Sequence, residues 1–273
     1  VKVVHYDIFA GIGGFSLAAD WAFGQDNVRH IFCEIDPFCR AILAIHWSGT
    51  EIHGDIRDLI EEIRRNPDGW RKHKNDGVSI LTAGFPCQPF SVGGKRLGRA
   101  DSRYLWNELF EVIELLRPQW LILENVPGIL TIEGGMVWEE ICTALEGTGY
   151  ATQTLVIPAL AVGAPHLRKR VWLIAHAESE GLERENATRS GVTSRWAGEC
   201  DRSVWQRDWR EVALERCNGG VDDGLPGRMD GITISPTQHR KERMKALGNA
   251  IVPQVAYHLF LAIRYAEEAG NER

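Results

Sequence analysis

The sequence predicts an α/β fold, a mostly parallel sheet with helices on both faces. Three observations carry that reading. An apolar, strand-like run at residues 3–10 passes directly into Gly11-Ile12-Gly13-Gly14 and a helical pattern, the opening of a nucleotide-binding βαβ unit. Further short apolar runs, at 28–33, 78–83, 120–123, 152–157 and 171–175, alternate with helical patterns. Finally, Glu34, Asp55, Cys87 and Glu124 stand at or just beyond the carboxyl ends of expected strands, where open α/β sheets bind ligands. A chain of 273 residues, 44% hydrophobic and 25% charged, is enough for one large α/β domain and a small appendage.

In order along the chain, the first helix carries Phe15, Leu17, Ala18, Trp21 and Ala22 and ends near Gly24. Its glycine spacing is not Gly-x-Gly-x-x-Gly, so a dinucleotide is not specifically indicated. The second strand, Val28 to Cys33, ends in Glu34-Ile35-Asp36, and an acid at that tip can accept hydrogen bonds from both ribose hydroxyls. Pro37 opens the next helix, which runs to Trp47. The third strand end, Ile52 to Asp58, carries Asp55, which suits an exocyclic amine and equally suits a helix N-cap. Residues 57–77 are polar and helical, then loop-like.

The fourth strand leads into Gly84-Phe85-Pro86-Cys87-Gln88-Pro89-Phe90-Ser91. Two prolines fix φ and cannot donate to a ladder, so the loop leaves the sheet and holds the Cys87 thiol outward. An arbitrary cysteine is usually a small buried hydrophobe; the Pro-Cys-Gln-Pro setting favours a functional one. The loop beyond, with Lys95 and Arg103, is basic and polar and suited to closing over a bound substrate. Tyr104 to Leu116 reads as an amphipathic helix, and Trp120 to Leu123 as a strand capped by Glu124-Asn125-Val126-Pro127-Gly128. After a helix at 136–145, Pro165-His166-Leu167-Arg168-Lys169-Arg170 precedes the last strand and places Arg168 and Arg170 on one face of an extended segment.

Composition shifts near residue 177. The expected organisation is 1–176 as the main α/β domain, 177–238 as either a small, irregular substrate-reading insertion or a partly flexible linker, and 239–273 as a segment returning to the first domain. Trp205 and Trp209 in the insertion suit a satellite core better than base stacking. The net charge of −6 taken alone argues against a nucleic-acid partner, but His166–Arg170 and His239–Lys245 are concentrated basic clusters that could make one cleft positive. Six cysteines without a Cys-x-x-Cys pair imply free thiols and no metal site. No run approaches the ~20 apolar residues of a membrane span. With no basic leader at the N-terminus, the expectation is a cytoplasmic monomer away from membranes.

Cys87, Glu124 and the Arg168/Arg170 pair converge on one sheet edge. An arginine neighbourhood favours the thiolate, and a carboxyl in a dry site can act as an acid. With a nucleotide-type pocket at residues 9–14, 34 and 55, the pattern suggests group transfer from an adenosine-containing donor.

These residues resemble the DNA (cytosine-5)-methyltransferases, collinearly over nearly the whole chain. The matching stretches are Asp7 to Phe15, Glu34, Gly54-Asp55-Ile56, Gly84 to Ser91, Glu124-Asn125-Val126, Pro165 to Arg170 and Gly248 to Pro253. The resemblance implies a Rossmann-like S-adenosylmethionine-dependent methyltransferase fold acting on double-stranded DNA, with S-adenosylhomocysteine as product and a restriction endonuclease as a potential partner. It implies a flipped-out cytosine attacked at C6 by Cys87, with Glu124 on N3 and the exocyclic amine, Arg168 on O2, and Arg170 supporting Glu124. The cofactor residues so implied are Phe9, Gly11, Gly13, Gly14, Glu34, Ile35, Asp55, Ile56, Asn249 and Ile251. Those expected to meet DNA are Gln88, Ser91, Lys95, Arg103 and Asn125.

Three departures stand out. The Arg-rich motif usual ahead of the Gly-Asn-Ala segment is reduced to a remnant at either Asp223 to Arg228 or Ser235-Pro236. His166 replaces the glutamine usual before the Arg-x-Arg pair. The recognition region is short and acidic, with 12 Asp/Glu against 8 Arg over 178–230. An RNA cytosine-5 methyltransferase and a non-catalytic DNA-binding relative are the alternatives. A NAD-dependent dehydrogenase is the most remote, because neither its glycine spacing nor Pro-Cys-Gln-Pro suits it.

Overall fold

The computed structural model of the chain describes residues 1–72, 76–86, 105–177 and 236–271. All belong to one compact unit formed by the N-terminal part to Ala177 and the C-terminal helices. Its seven strands are β1 (Val3–Ile8), β2 (Val28–Cys33), β3 (Glu51–His53), β4 (Val78–Gly84), β5 (Trp120–Asn125), β6 (Tyr150–Pro158) and β7 (Lys169–Ala177). They form one sheet in the order β3-β2-β1-β4-β5-β7-β6. The first five run parallel, whereas β7 is antiparallel to both β5 and β6. Strand order reverses between β1 and β4, so the turn after β1 and the loop after β4 flank the crevice where such sheets take ligands.

Side chains alternate across β1 and give the two faces different characters. Val4, Tyr6 and Ile8 enter a large apolar core with α3 (Ile56–Arg65), α5 (Trp106–Leu116) and α6 (Met136–Gly147). Helix α3 contributes Ile56, Leu59, Ile60 and Ile63, and α5 contributes Leu109, Val112, Ile113 and Leu116, both at helical spacing. His5 and Asp7 point to the other face and are fully buried there, beside α1 (Gly14–Phe23). Helix α2 (Pro37–His46) starts with Pro37 after an Asp36 cap. A short helix α4 (Pro67–Lys72) follows α3.

Two helices close the described fold, α7 (Pro236–Asn249) and α8 (Pro253–Asn271). The returning segment thus begins its helix at Pro236, three residues ahead of the expected 239, because proline is favoured in a first helical turn. Residues 241–270 are long and apolar enough to cross a membrane by length and composition. In this fold their apolar face is core: Val255, Ala256, Phe260 and Ile263 are all 3% exposed or less. Phe260 meets Phe23 and His5 edge-on, with ring centroids 6.0 and 5.6 Å apart. Arg264 donates to the Ala22 carbonyl at 3.0 Å, and Trp120 Nε1 donates to Glu267 at 2.7 Å. Replacing Phe260 by Ala should cost about 3–5 kcal/mol of stability, read from the urea midpoint; a loss under about 1 kcal/mol would mean that α8 is not core.

Candidate active site

The turn after β1 is built from left-handed backbone. Phe9, Gly11 and Gly13 have φ of 58°, 56° and 83°. Phe9 adopts that conformation without being glycine, which costs about 1 kcal/mol or more. Gly13 caps α1, and a β-carbon there would overlap the Trp47 ring. A β-carbon on Gly14 would lie 2.8 Å from Ile251 Cγ1, so the C-terminal segment packs directly on the turn. At Gly11 a β-carbon would meet nothing within 4 Å. That side of the turn is open.

Glu34 sits at the end of β2 and is only 8% exposed. Its Oε2 accepts the Gly11 N–H at 2.7 Å and its Oε1 the Asp36 N–H at 2.8 Å. Burial raises its pKa above the ordinary value, and these backbone bonds oppose the rise. Ile35 beside it is 65% exposed, an apolar surface at the rim. Asp36 caps α2 through Phe38 N–H, and its other oxygen lies 2.5 Å from Lys245 Nζ on α7. Burial would raise Asp36, but Lys245 and the backbone N–H bonds hold it below its ordinary value. Asp55 caps α3 by accepting Arg57 N–H at 2.9 Å, so the cap is realised. The Ile56 side chain goes into the core.

Across the crevice, Gly84 pairs in register with Glu124. A β-carbon on Gly84 would come 3.5 Å from Glu124 Oε2, and glycine leaves that oxygen uncovered by a side chain. Glu124 is 8% exposed, and its Oε1 lies 2.9 Å from Arg170 Nε. Burial pushes its pKa up to about 7, against the opposing charges of Arg170 and Arg168. A carboxyl poised there can hold or release a proton near neutrality.

Two placements differ in detail from the sequence reading. Arg168 does not share an extended face with Arg170: it has φ 28°, just ahead of β7. That reversal turns its guanidinium onto the carbonyls of Gly248 at 2.9 Å and Ala250 at 2.7 Å, where it anchors the C-terminal segment. Asn125, expected to meet DNA, is 3% exposed. Its Nδ2 donates to the Phe85 carbonyl at 3.1 Å and its Oδ1 accepts Val126 N–H at 2.9 Å. It braces the root of the Cys87 loop because a buried amide must satisfy both ends. Asn249 is exposed at the end of α7. Cys87, Gln88, Ser91, Lys95 and Arg103 lie outside the described residues, as does the 178–235 region with Trp205 and Trp209.

Residues 3–201 match the profile of the family described as C-5 cytosine-specific DNA methylase. The chain is 34% identical over 180 residues to the type II methyltransferase M2.BsuMI of Bacillus subtilis (strain 168), covering 64% of this chain and 42% of that one. It is 34% identical over 178 residues to the type II methyltransferase M.HaeII of Haemophilus aegyptius, covering 65% and 51%. The chain thus spans about half the length of these relatives. Its fold is similar to that of the Entamoeba histolytica methyltransferase EhMeth, with TM-score 0.62, 14% identity, and 96% and 98% of the two chains covered.

Two outcomes follow from the geometry. Replacing Arg170 by Met removes the largest counterweight to burial, so the Glu124 midpoint should move further above about 7, read by ¹³C NMR of labelled glutamate carboxyls. An unmoved midpoint would show that Arg170 does not set the proton affinity of Glu124. The second outcome concerns stability. A folded pKa of about 7 against an ordinary 4.5 means the unfolded chain releases this proton first. Glu124 therefore withdraws stability as pH rises from 4.5 to about 7. In urea titrations Glu124→Gln should flatten that part of the native stability profile, and an unchanged slope would contradict it.

Proposed function

Because the chain belongs to the C-5 cytosine-specific DNA methylase family, we propose that it transfers a methyl group from S-adenosylmethionine to C5 of a cytosine in duplex DNA. The observation that carries this reading is the ion pair of buried Glu124 with Arg170, Glu124 being in register with Gly84 at the root of the Cys87 loop. The family description, C-5 cytosine-specific DNA methylase, supports DNA as substrate, and the relatives' names support methyl transfer.

The donor pocket is the open side of the glycine turn. Phe9, Gly11, Gly13 and Gly14 would hold the methionine end through backbone, and Glu34 the ribose hydroxyls. Ile35 and Asp55 would border the adenine, with the Ile56 backbone beside them and Asn249 and Ile251 completing the wall. The residues fit: Gly11 faces open space, Ile35 offers an exposed apolar face, and Glu34 retains lone pairs on both oxygens. S-adenosylmethionine supplies an electrophilic methyl group on a sulfonium and leaves as S-adenosylhomocysteine.

The protein's task is to make an aromatic carbon nucleophilic. The target cytosine is turned out of the stack, since C5 and C6 cannot be reached within it. The Cys87 thiolate forms a bond to C6, and the electron pair moves toward C5 as Glu124 gives a proton to N3. A carboxyl with a pKa of about 7 carries that proton in about half of the molecules at neutral pH and can take it back. Arg170 keeps Glu124 in place, and Arg168 secures the Gly248–Ala250 segment that walls the donor side. After methylation, loss of the C5 proton to a base and cleavage of the sulfur–C6 bond restore the aromatic ring and the Cys87 thiolate.

Cys87→Ser should keep binding S-adenosylhomocysteine while methyl transfer falls at least about a thousandfold. It should also form no covalent adduct with 5-fluorocytosine duplex DNA in a denaturing gel. Normal methylation by this variant would remove Cys87 as the nucleophile. Tritium transfer to transfer RNA but not to duplex DNA would replace the substrate, and bisulfite sequencing would give the sequence context.

A further inference from the structure

Beneath the glycine turn lies a chain of polar contacts that the methyl-transfer chemistry does not use. Thr82 Oγ1 is 3.0 Å from Asp7 Oδ1 and 2.8 Å from His5 Nε2. His5 Nδ1 is 3.0 Å from His30 Nδ1, and His30 Nε2 is 2.8 Å from Asp20 Oδ1. The outer oxygens of the two acids have their own donors: Ser16 Oγ gives a hydrogen bond to Asp7 Oδ2 at 2.7 Å, and Trp47 Nε1 one to Asp20 Oδ2 at 2.9 Å.

The hydrogens can be counted. Four contacts link Asp7, Thr82, His5, His30 and Asp20, and each needs one hydrogen between its two heavy atoms. With both acids ionised and both imidazoles neutral, only three hydrogens exist, one each on Thr82, His5 and His30. One contact would then set two lone pairs against each other in the interior, an expensive arrangement. A fourth hydrogen completes the chain. Carried as an imidazolium, it would leave three charges in the interior; carried on an acid, it leaves one. Asp7 is fully buried, whereas the Asp20 side chain is 12% exposed, so the neutral acid belongs on Asp7.

We propose that Asp7 is a protonated, hydrogen-bond-donating acid that positions the glycine turn, and that the methyl donor binds with full affinity only while this proton is present. The hydrogens then run in one direction: Asp7 to Thr82, Thr82 to His5, His5 to His30, and His30 to Asp20. This rests on the reading of the turn as the donor pocket. The chain is placed to act on that turn from both sides, since Asp7 stands two residues before Phe9 and Trp47 packs against Gly13. Ser16 ties Asp7 to α1, whose cap is Gly13.

The surrounding groups agree. Burial raises the Asp7 pKa to about 7, the hydroxyls of Ser16 and Thr82 oppose the rise, and the Glu34 carboxylate adds to it. Burial first, and His30 second, hold His5 well below the ordinary histidine value, so it is neutral. Helix α8 presents the Phe260 ring to His5, and its Arg264 reaches α1 at the Ala22 carbonyl. His30 and Trp47 also line an open cavity of about 700 Å³.

The test compares the native chain with Asp7→Asn, whose amide donates to Thr82 and accepts from Ser16 at every pH. Calorimetric titration with S-adenosylhomocysteine should show the native affinity falling about tenfold from pH 6 to pH 8.5, within the roughly 30-fold that one proton of pKa about 7 allows. Asp7→Asn should match the native affinity at pH 6 and lose less than about twofold by pH 8.5. Should that variant fail to fold, ¹³C NMR of native protein labelled only at aspartate carboxyls reads the proton directly. One aspartate should titrate near pH 7. Equal pH slopes in the two folded proteins, or aspartates that all titrate below about pH 5, overturn the proposal. Absence of S-adenosylhomocysteine binding by the native chain at every pH overturns the donor-pocket reading, and this proposal with it.

Discussion

At Gly13 and Gly14 there is no room for a β-carbon, and the carboxyl edge of the sheet depends on that. The first faces the Trp47 ring at the end of α2, and the second faces Ile251 from the C-terminal segment. The two close approaches bring residues more than 200 positions apart in sequence to either side of one short turn. Arg168 then fastens the C-terminal segment from a third direction through the Gly248 and Ala250 carbonyls. Lys245 fastens α7 through Asp36. A larger side chain at either glycine would push apart elements that several other contacts hold together, because packed interiors do not yield to added volume.

Three buried carboxyls share this edge, and each is handled differently. Glu34 takes two backbone N–H groups, which fix its orientation and support its charge. Glu124 faces a guanidinium but remains so buried that its pKa still rises to about 7. Asp7 meets the Ser16 and Thr82 hydroxyls and the Ser16 backbone N–H, all of them uncharged groups. Acids of one type thereby come to differ in charge and orientation: one is oriented by backbone N–H groups, one is set against a guanidinium, and one is enclosed among uncharged groups. Environment sets the difference, since the intrinsic chemistry of the three is nearly the same.

Much of the fold was legible because its signals are local. Apolar runs, Pro37 at a helix start and the glycines after β1 each speak for their own neighbourhood, and the structure places strands and helices near where those signals lie. What escaped was whatever needed a partner. Nothing near Arg168 announces a left-handed residue, since neither Leu167 nor Lys169 is a turn former. Asn125 reads as a surface residue by its polarity, and only the pairing of β4 with β5 buries it beside Phe85. His5 and His30 each look like an ordinary strand residue. They become a pair only when parallel β1 and β2 set them directly opposite each other.

The central claim is that the glycine turn, Glu34 and the 249–251 segment form one donor pocket opening toward Glu124. A crystal structure with S-adenosylhomocysteine tests it most directly. The account predicts ribose hydroxyls on Glu34, the purine against Ile35, and the thioether sulfur directed toward the crevice that holds Glu124. A ligand bound elsewhere on the sheet, or one that leaves Glu34 untouched, would contradict it.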